Sequence, residues 1–161
     1  MAQETSMNTR WSQIGSAIVV ISYFLVWHKS WFSSDIGFKL VWSALAGLKD
    51  INGDSALLGL VMVSFILSPL VCHAINLWST VTGDNSTPDK KKFSFIVTSI
   101  PAAIWIGVSL LLLAKSKGDP FILKMVIPHQ IGGIIAMGGM ALGVVFSAKN
   151  HYEATAGTIL K

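Results

Sequence analysis

The sequence predicts an all-α integral membrane protein: a four-helix bundle with a short interfacial amphipathic helix between helices one and two. Three observations predict it. Charged residues are 12% of the 161, about half the share of a soluble domain. Hydrophobic residues are 52% and mean hydropathy is +0.62, so there is too little charge to cover a surface facing water. Four stretches lack Asp, Glu, Lys and Arg for long enough to cross a hydrocarbon core, which takes about 20 helical residues. An isolated strand in lipid leaves backbone groups unpaired at several kcal/mol each, so the stretches read as helices. Residues 1–161 make one domain.

The first span runs from Trp11 to about Trp27 and reaches Phe32 through residues of the interface (11–32). The polar head Met1 to Arg10 precedes it and no small-x-small site follows, so it reads as a retained helix. In "DIGFKLVWSALAGLKDINGD", Asp35 to Asp54, residues Ile36, Leu40, Ala44 and Leu48 fall four apart. That spacing makes one apolar face and an interfacial helix; a soluble β-hairpin extension is the competing reading. The second span, 55–83, is longer than a crossing needs and carries Pro69, so it is expected to tilt or bend. The third (93–114) lies between the polar turns "TGDNSTPDKKK" and "KSKGDP". The fourth is 125–148. Four crossings put both termini on one side. The adjacent Lys90, Lys91 and Lys92 in a short loop place that side in the cytoplasm, although six cations fall at each face.

The net charge is +4. The basic residues flank the apolar runs, as is ordinary for membrane loops, so no nucleic-acid partner is expected. A single cysteine, Cys72, excludes an internal disulfide and the CxxC metal, redox and haem-attachment motifs. No triad, HExxH, phosphate loop or carboxylate pair stands at useful spacing, so no catalytic or metal-ligating residues are assigned.

Three sets of residues are candidates for a site. His28, in "FLVWHKSWF", and His129 come to the same membrane face, where two imidazoles could ligate a b-type haem. The favoured reading is that Trp27, Lys29 and Trp31 make His28 part of an interfacial belt. Ser64, Ser68, Cys72 and Asn76 recur every four positions on the second helix, with Thr80 next in line and His73 beside them. They line either a polar groove or a packing contact, and packing is the stronger expectation. Gly132, Ala136, Gly139 and Gly143, continued by Ser147, share one face of the fourth helix, a face suited to close helix contact.

"ISYFLVWH" (Ile21 to His28), "SSDIGFKL" (Ser33 to Leu40) and "GGIIAMGGMALG" (Gly132 to Gly143) carry a resemblance spanning most of the chain. In that order they resemble uncharacterised small four-helix bacterial membrane proteins with an FLPW-like corner and an SGFDL-like outer loop. Val26 stands in place of the corner proline and Lys39 in place of the acidic residue. The resemblance implies an outward first loop and a bacterial cytoplasmic membrane, and it supplies no active site.

The expected function is that of a non-catalytic accessory or self-associating subunit of a membrane complex, whose interface is the glycine face of the fourth helix and the polar stripe of the second. Its partners would be the lipid bilayer and a second copy or a larger assembly. A haem b or quinone-interacting anchor using His28 and His129 is one alternative; a small-molecule channel or binding protein lined by the polar residues of helix two is the other.

Overall fold

The computed structural model describes residues 6–29, 34–47, 55–82, 87–116 and 130–159. In chain order these form α1 (Met7–Ser22), β1 (Val26–Lys29), β2 (Ser34–Ile36), α2 (Gly37–Gly47), α3 (Ser55–Thr82), α4 (Pro88–Ser116) and α5 (Ile131–Ile159). The protein is almost entirely helical. Three helices are long and apolar enough to cross a membrane, over Val63–Thr82, Pro88–Leu111 and Ile131–Ala156.

Cross-helix bonds fix the arrangement. Gln13 reaches the carbonyl of Thr80, and Tyr23 that of Ile66, so α1 and α3 run antiparallel. Asn76 meets Ser94 and Phe65 meets Trp105, which sets α4 antiparallel to α3. Thr98 meets Ser147, and Asn150 meets Thr9, which closes a ring α1–α3–α4–α5. The start of α1 and the end of α5 therefore share one end of the bundle, where Asn8 donates to Glu153 at 2.8 Å.

Local chemistry explains the helix ends. The Ser6 hydroxyl caps α1 by accepting from the Thr9 amide at 3.2 Å. Pro88 opens α4 at a position whose missing N–H costs nothing, and Asp89 complements the positive end of the helix. α4 thus begins ahead of the apolar run, and α5 continues past Lys149 to Ile159.

Two expectations are corrected. The first span does not run as helix to residue 32. α1 stops at Ser22; the amides of Phe24 and Leu25 bond back three residues to Ile21 and Ser22, and β1 follows. The sixteen helical residues rise roughly 24 Å, short of a hydrocarbon core of about 30 Å. The chain turns here because Trp27 bonds the Ser22 carbonyl at 2.8 Å, and because Gly37, bare of a side chain, lets β2 and α2 come against Tyr23. A Cβ at residue 37 would lie 2.7 Å from the Tyr23 Cα. Secondly, Ile36 belongs to β2, paired with Val26, and not to the amphipathic helix. That helix is present as α2, so helix and hairpin coexist. Its apolar outer residues are Phe38, Trp42 and Leu45, with Val41 turned inward; Leu48 lies outside the described residues.

Trp42 is 75% exposed on α2, an orientation suited to the headgroup level, where indole is favoured. Brominated-lipid quenching of the protein's fluorescence is expected to weaken in Trp42→Phe, with stability changed by less than about 0.5 kcal/mol, as for other surface substitutions. Unchanged quenching would place α2 away from lipid.

Pro69 organises the core around it. Pro69 lies inside α3 and removes the amide that would bond the Phe65 carbonyl. The Trp105 indole donates to that carbonyl at 2.9 Å, and the Tyr23 hydroxyl donates to the next one, Ile66. Trp105 also stacks on Phe65 at 4.7 Å between centroids. Trp105→Phe keeps an aromatic ring but orphans a buried carbonyl, so a loss of about 1–3 kcal/mol is expected in thermal or denaturant unfolding. A loss of only a few tenths would mean that the bend satisfies itself.

Candidate functional site

The bundle interior has two halves. Toward the hairpin it is aromatic and aliphatic, built from Val19, Tyr23, Trp105 and Met140, with Trp27 and Phe65 against them. Toward the termini it is polar, and every helix but α2 contributes: Thr9, Ser12 and Ser16 from α1, His73, Asn76 and Thr80 from α3, Ser94 and Thr98 from α4, Ser147 and Asn150 from α5. All are buried.

Asn76 is the hub. Its amide donates to Ser16 at 2.8 Å and more weakly to Ser12 at 3.4 Å, while its carbonyl accepts from Ser94 at 2.6 Å. One side chain thus ties α1, α3 and α4. The Ser16 hydroxyl also meets His73 Nδ1 at 3.0 Å. Thr98 and Ser147 join α4 to α5 at 2.7 Å, and Asn150 donates to Thr9 at 2.9 Å, joining α5 to α1. The Thr80 hydroxyl turns back to the Asn76 carbonyl. Thr98 and Ser147 have one proton each, so one of them donates across to the other while the other donates to a carbonyl three or four residues behind it. Interhelical bonds of this kind average about 0.6 kcal/mol each in a membrane.

His73 retains one unused nitrogen: Nε2 has no hydrogen-bond partner among the described residues, and the same holds for the hydroxyls of Ser68 and Ser99. The imidazole fits because residue 143 is glycine, and a Cβ there would come 2.9 Å from the ring's Cε1. Without another ligating side chain, a single imidazole makes no metal centre. No group of three or more His, Cys, Asp or Glu able to hold a metal occurs among the described residues.

The every-fourth series on α3 does not line one groove. Each step of four residues rotates roughly 40° around a helix of 3.6 residues per turn. Over three steps the direction turns by about a third of a circle. Ser64 is accordingly exposed, Ser68 and Cys72 are half-buried, and Asn76 and Thr80 point fully inward with His73.

Gly132, Ala136, Gly139 and Gly143 alternate steps of four and three, which cancels the drift, and all four are buried within the chain. Gly132 lies against the Trp27 indole and the Val26 carbonyl, Gly139 against Gly15, Ile18 and Val19, and Gly143 against Gly15 and His73. α1 and α5 touch backbone to backbone: a Cβ on Gly15 would lie 2.7 Å from the Gly139 oxygen.

His28 sits on β1 opposite Asp35, and its side chain lies outside the described residues, as does His129 altogether. The structure brings β1 to the first turn of α5 through Trp27 and Gly132, and it describes no geometry for an imidazole pair.

Sequence reading missed the α1 and α4 contributions to the seam. Thr9, Ser12, Ser16 and Val19 follow alternating steps of three and four, a pattern that marks one buried face. Ser94 and Thr98 are four apart on α4.

No protein-family model, curated protein or solved structure is similar enough to this chain to be matched.

Proposed function

We propose that the protein is a non-catalytic, four-span subunit of a bacterial cytoplasmic membrane, an accessory or self-associating component whose interior serves cohesion and whose outer surface meets its partner. One observation carries this reading: most of the buried polar side chains bond one another or nearby backbone carbonyls around α1, α3, α4 and α5, with His73 Nε2 left over. Polar residues that line a passage or hold a substrate keep bonds available for it. Here Asn76, the most connected, has both ends engaged within the chain.

The fourth crossing is α1 together with the turn and hairpin beyond it. The termini lie on the cytoplasmic side, because Lys90, Lys91 and Lys92 stand beside the bundle end that holds them. The inner glycine face of α5 is spent against α1, so partner contact falls on outward residues such as Ile100, Ile106 and Leu110 of α4.

A photo-crosslinker at Ile106 or Leu110, in cells, is expected to trap a second copy or one distinct membrane partner, while one at Ala136 traps only this chain. Absence of any product from the outer positions would count against an associating role. A Soret band in the gently purified protein would replace this reading with the haem anchor.

A further inference from the structure

Pro69 in α3 and Pro101 in α4 are both fully buried, and the register of the two antiparallel helices sets them opposite each other. Phe65 stacks on Trp105, and Ser94 donates to Asn76. Pro69 follows Phe65 by four residues and Pro101 precedes Trp105 by four, so one level of the bundle holds both rings. Each proline removes the amide that would bond a carbonyl four residues back, that of Phe65 or Val97, and a helix bends most readily at such a place. α1 and α5 carry no proline and meet backbone to backbone.

Burial changes at the same level. On the side of the termini, α3 buries His73, Asn76 and Thr80, and α4 buries Ser94, Val97 and Thr98. On the hairpin side Trp105 is buried, and no other described side chain of residues 55–68 or 102–116 is. The hydrogen bonds follow suit. Toward the termini, Ser16–His73, Asn76–Ser16 and Thr98–Ser147 tie α3 and α4 to α1 and α5. Toward the hairpin, the Tyr23 hydroxyl on the Ile66 carbonyl makes the tie, whereas the Trp105 bond to the Phe65 carbonyl stays within the α3–α4 pair. Segments with few buried contacts are the ones that open below the global unfolding free energy.

We propose that Pro69 and Pro101 form one hinge, about which residues 55–68 of α3 and 102–116 of α4 swing as a single arm away from α1 and α5, with Tyr23 as the latch. Trp105 on Phe65 holds the two halves of the arm together, so they move as a unit. Opening turns the aromatic interior around Val19, Trp27 and Met140 outward, while the polar seam stays closed. Hinges of this kind place the bend in a few residues and leave the packed segments on either side rigid. The inference holds whether or not the chain associates with a partner.

The test is pulsed electron-spin distance measurement on the full chain in nanodiscs, with spin labels on cysteine pairs in a Cys72→Ser background. All labelled positions are exposed. Leu110 with Ile134 spans the arm and α5, and it should show a main short distance and a minor long one. Tyr23→Phe should raise the ratio of long to short about fivefold, the worth of one hydrogen bond. Pro69→Ala combined with Pro101→Ala should remove the long distance. Leu60 with Leu110, within the arm, and Phe93 with Tyr152, beside the seam, should each keep one narrow distance throughout. A single distance for Leu110–Ile134 in both wild type and Tyr23→Phe would overturn the proposal. Broadening of Leu60–Leu110 would overturn it too, because the two helices would then move separately. So would equal broadening of Phe93–Tyr152, which would make the whole bundle loose and the prolines no hinge.

Discussion

Gly15→Val is expected to unfold the bundle or cost about 3 kcal/mol or more, the upper end for overpacking. The reason is where the new atoms land. The Cβ of residue 15 would lie 2.5 Å from the Gly143 amide nitrogen and 2.7 Å from the Gly139 oxygen. These are backbone atoms on a facing helix, and no side-chain rotation relieves the overlap. α1 and α5 must separate, which also stretches the Thr9–Asn150 bond at one end and the Trp27–Gly132 contact at the other. Gly138→Leu is the matched control. It adds more atoms, on α5 and toward open space, and stability should stay within about 0.5 kcal/mol. Combining Gly15→Val with Gly143→Val should cost less than the sum of the two, because the second side chain enters a contact the first has already opened. Thermal or SDS-titrated unfolding in detergent reads all of these. If Gly15→Val and Gly138→Leu behave alike, α1 and α5 are not in backbone contact.

Asn76→Leu should be the most damaging change among the polar residues, at about 2 kcal/mol. Leucine is close in size, so packing is largely kept, but Ser94 loses its acceptor and Ser16 a donor, and both are buried. Each stranded group costs about 1–3 kcal/mol against an average gain of about 0.6 per membrane hydrogen bond. Ser94→Ala in the Asn76→Leu background should then cost less than it does alone, since it removes a group already orphaned. Full additivity of the pair would mean that the two side chains do not bond. A variant as stable as wild type would show that the seam is dispensable for cohesion and reopen the case for a ligand at His73.

The long apolar helices could be read from sequence because span length and charge exclusion are properties of composition alone. The end of the first was not so legible. "FLVWHKSWF" is apolar enough to continue a helix, and nothing in its composition records that Trp27 bonds back to Ser22 or that Gly37 admits the hairpin. Angular drift decided the fate of the two stripes. The spacing of Gly132, Ala136, Gly139 and Gly143 holds one face, whereas the constant step of four from Ser64 to Thr80 winds from lipid to core. That difference was computable from the numbers alone. The partners of Asn76 were not, because they depend on which helices become neighbours. Pro69 marked the bend, but the group that takes up the freed Phe65 carbonyl, Trp105, stands on another helix forty residues away.

On the reading proposed above the polypeptide crosses the bilayer four times, three of the crossings being helices long and apolar enough to span it and the fourth α1 with its hairpin. Cysteines placed singly at Asn8, Thr87, Thr155 and Ser43, in a Cys72→Ser background, can be probed with a membrane-impermeant maleimide on intact and permeabilised cells. Four crossings predict that Asn8, Thr87 and Thr155 label only after permeabilisation, and that Ser43 labels from outside. Labelling of Asn8 and Thr155 from opposite sides, as three crossings require, would contradict it.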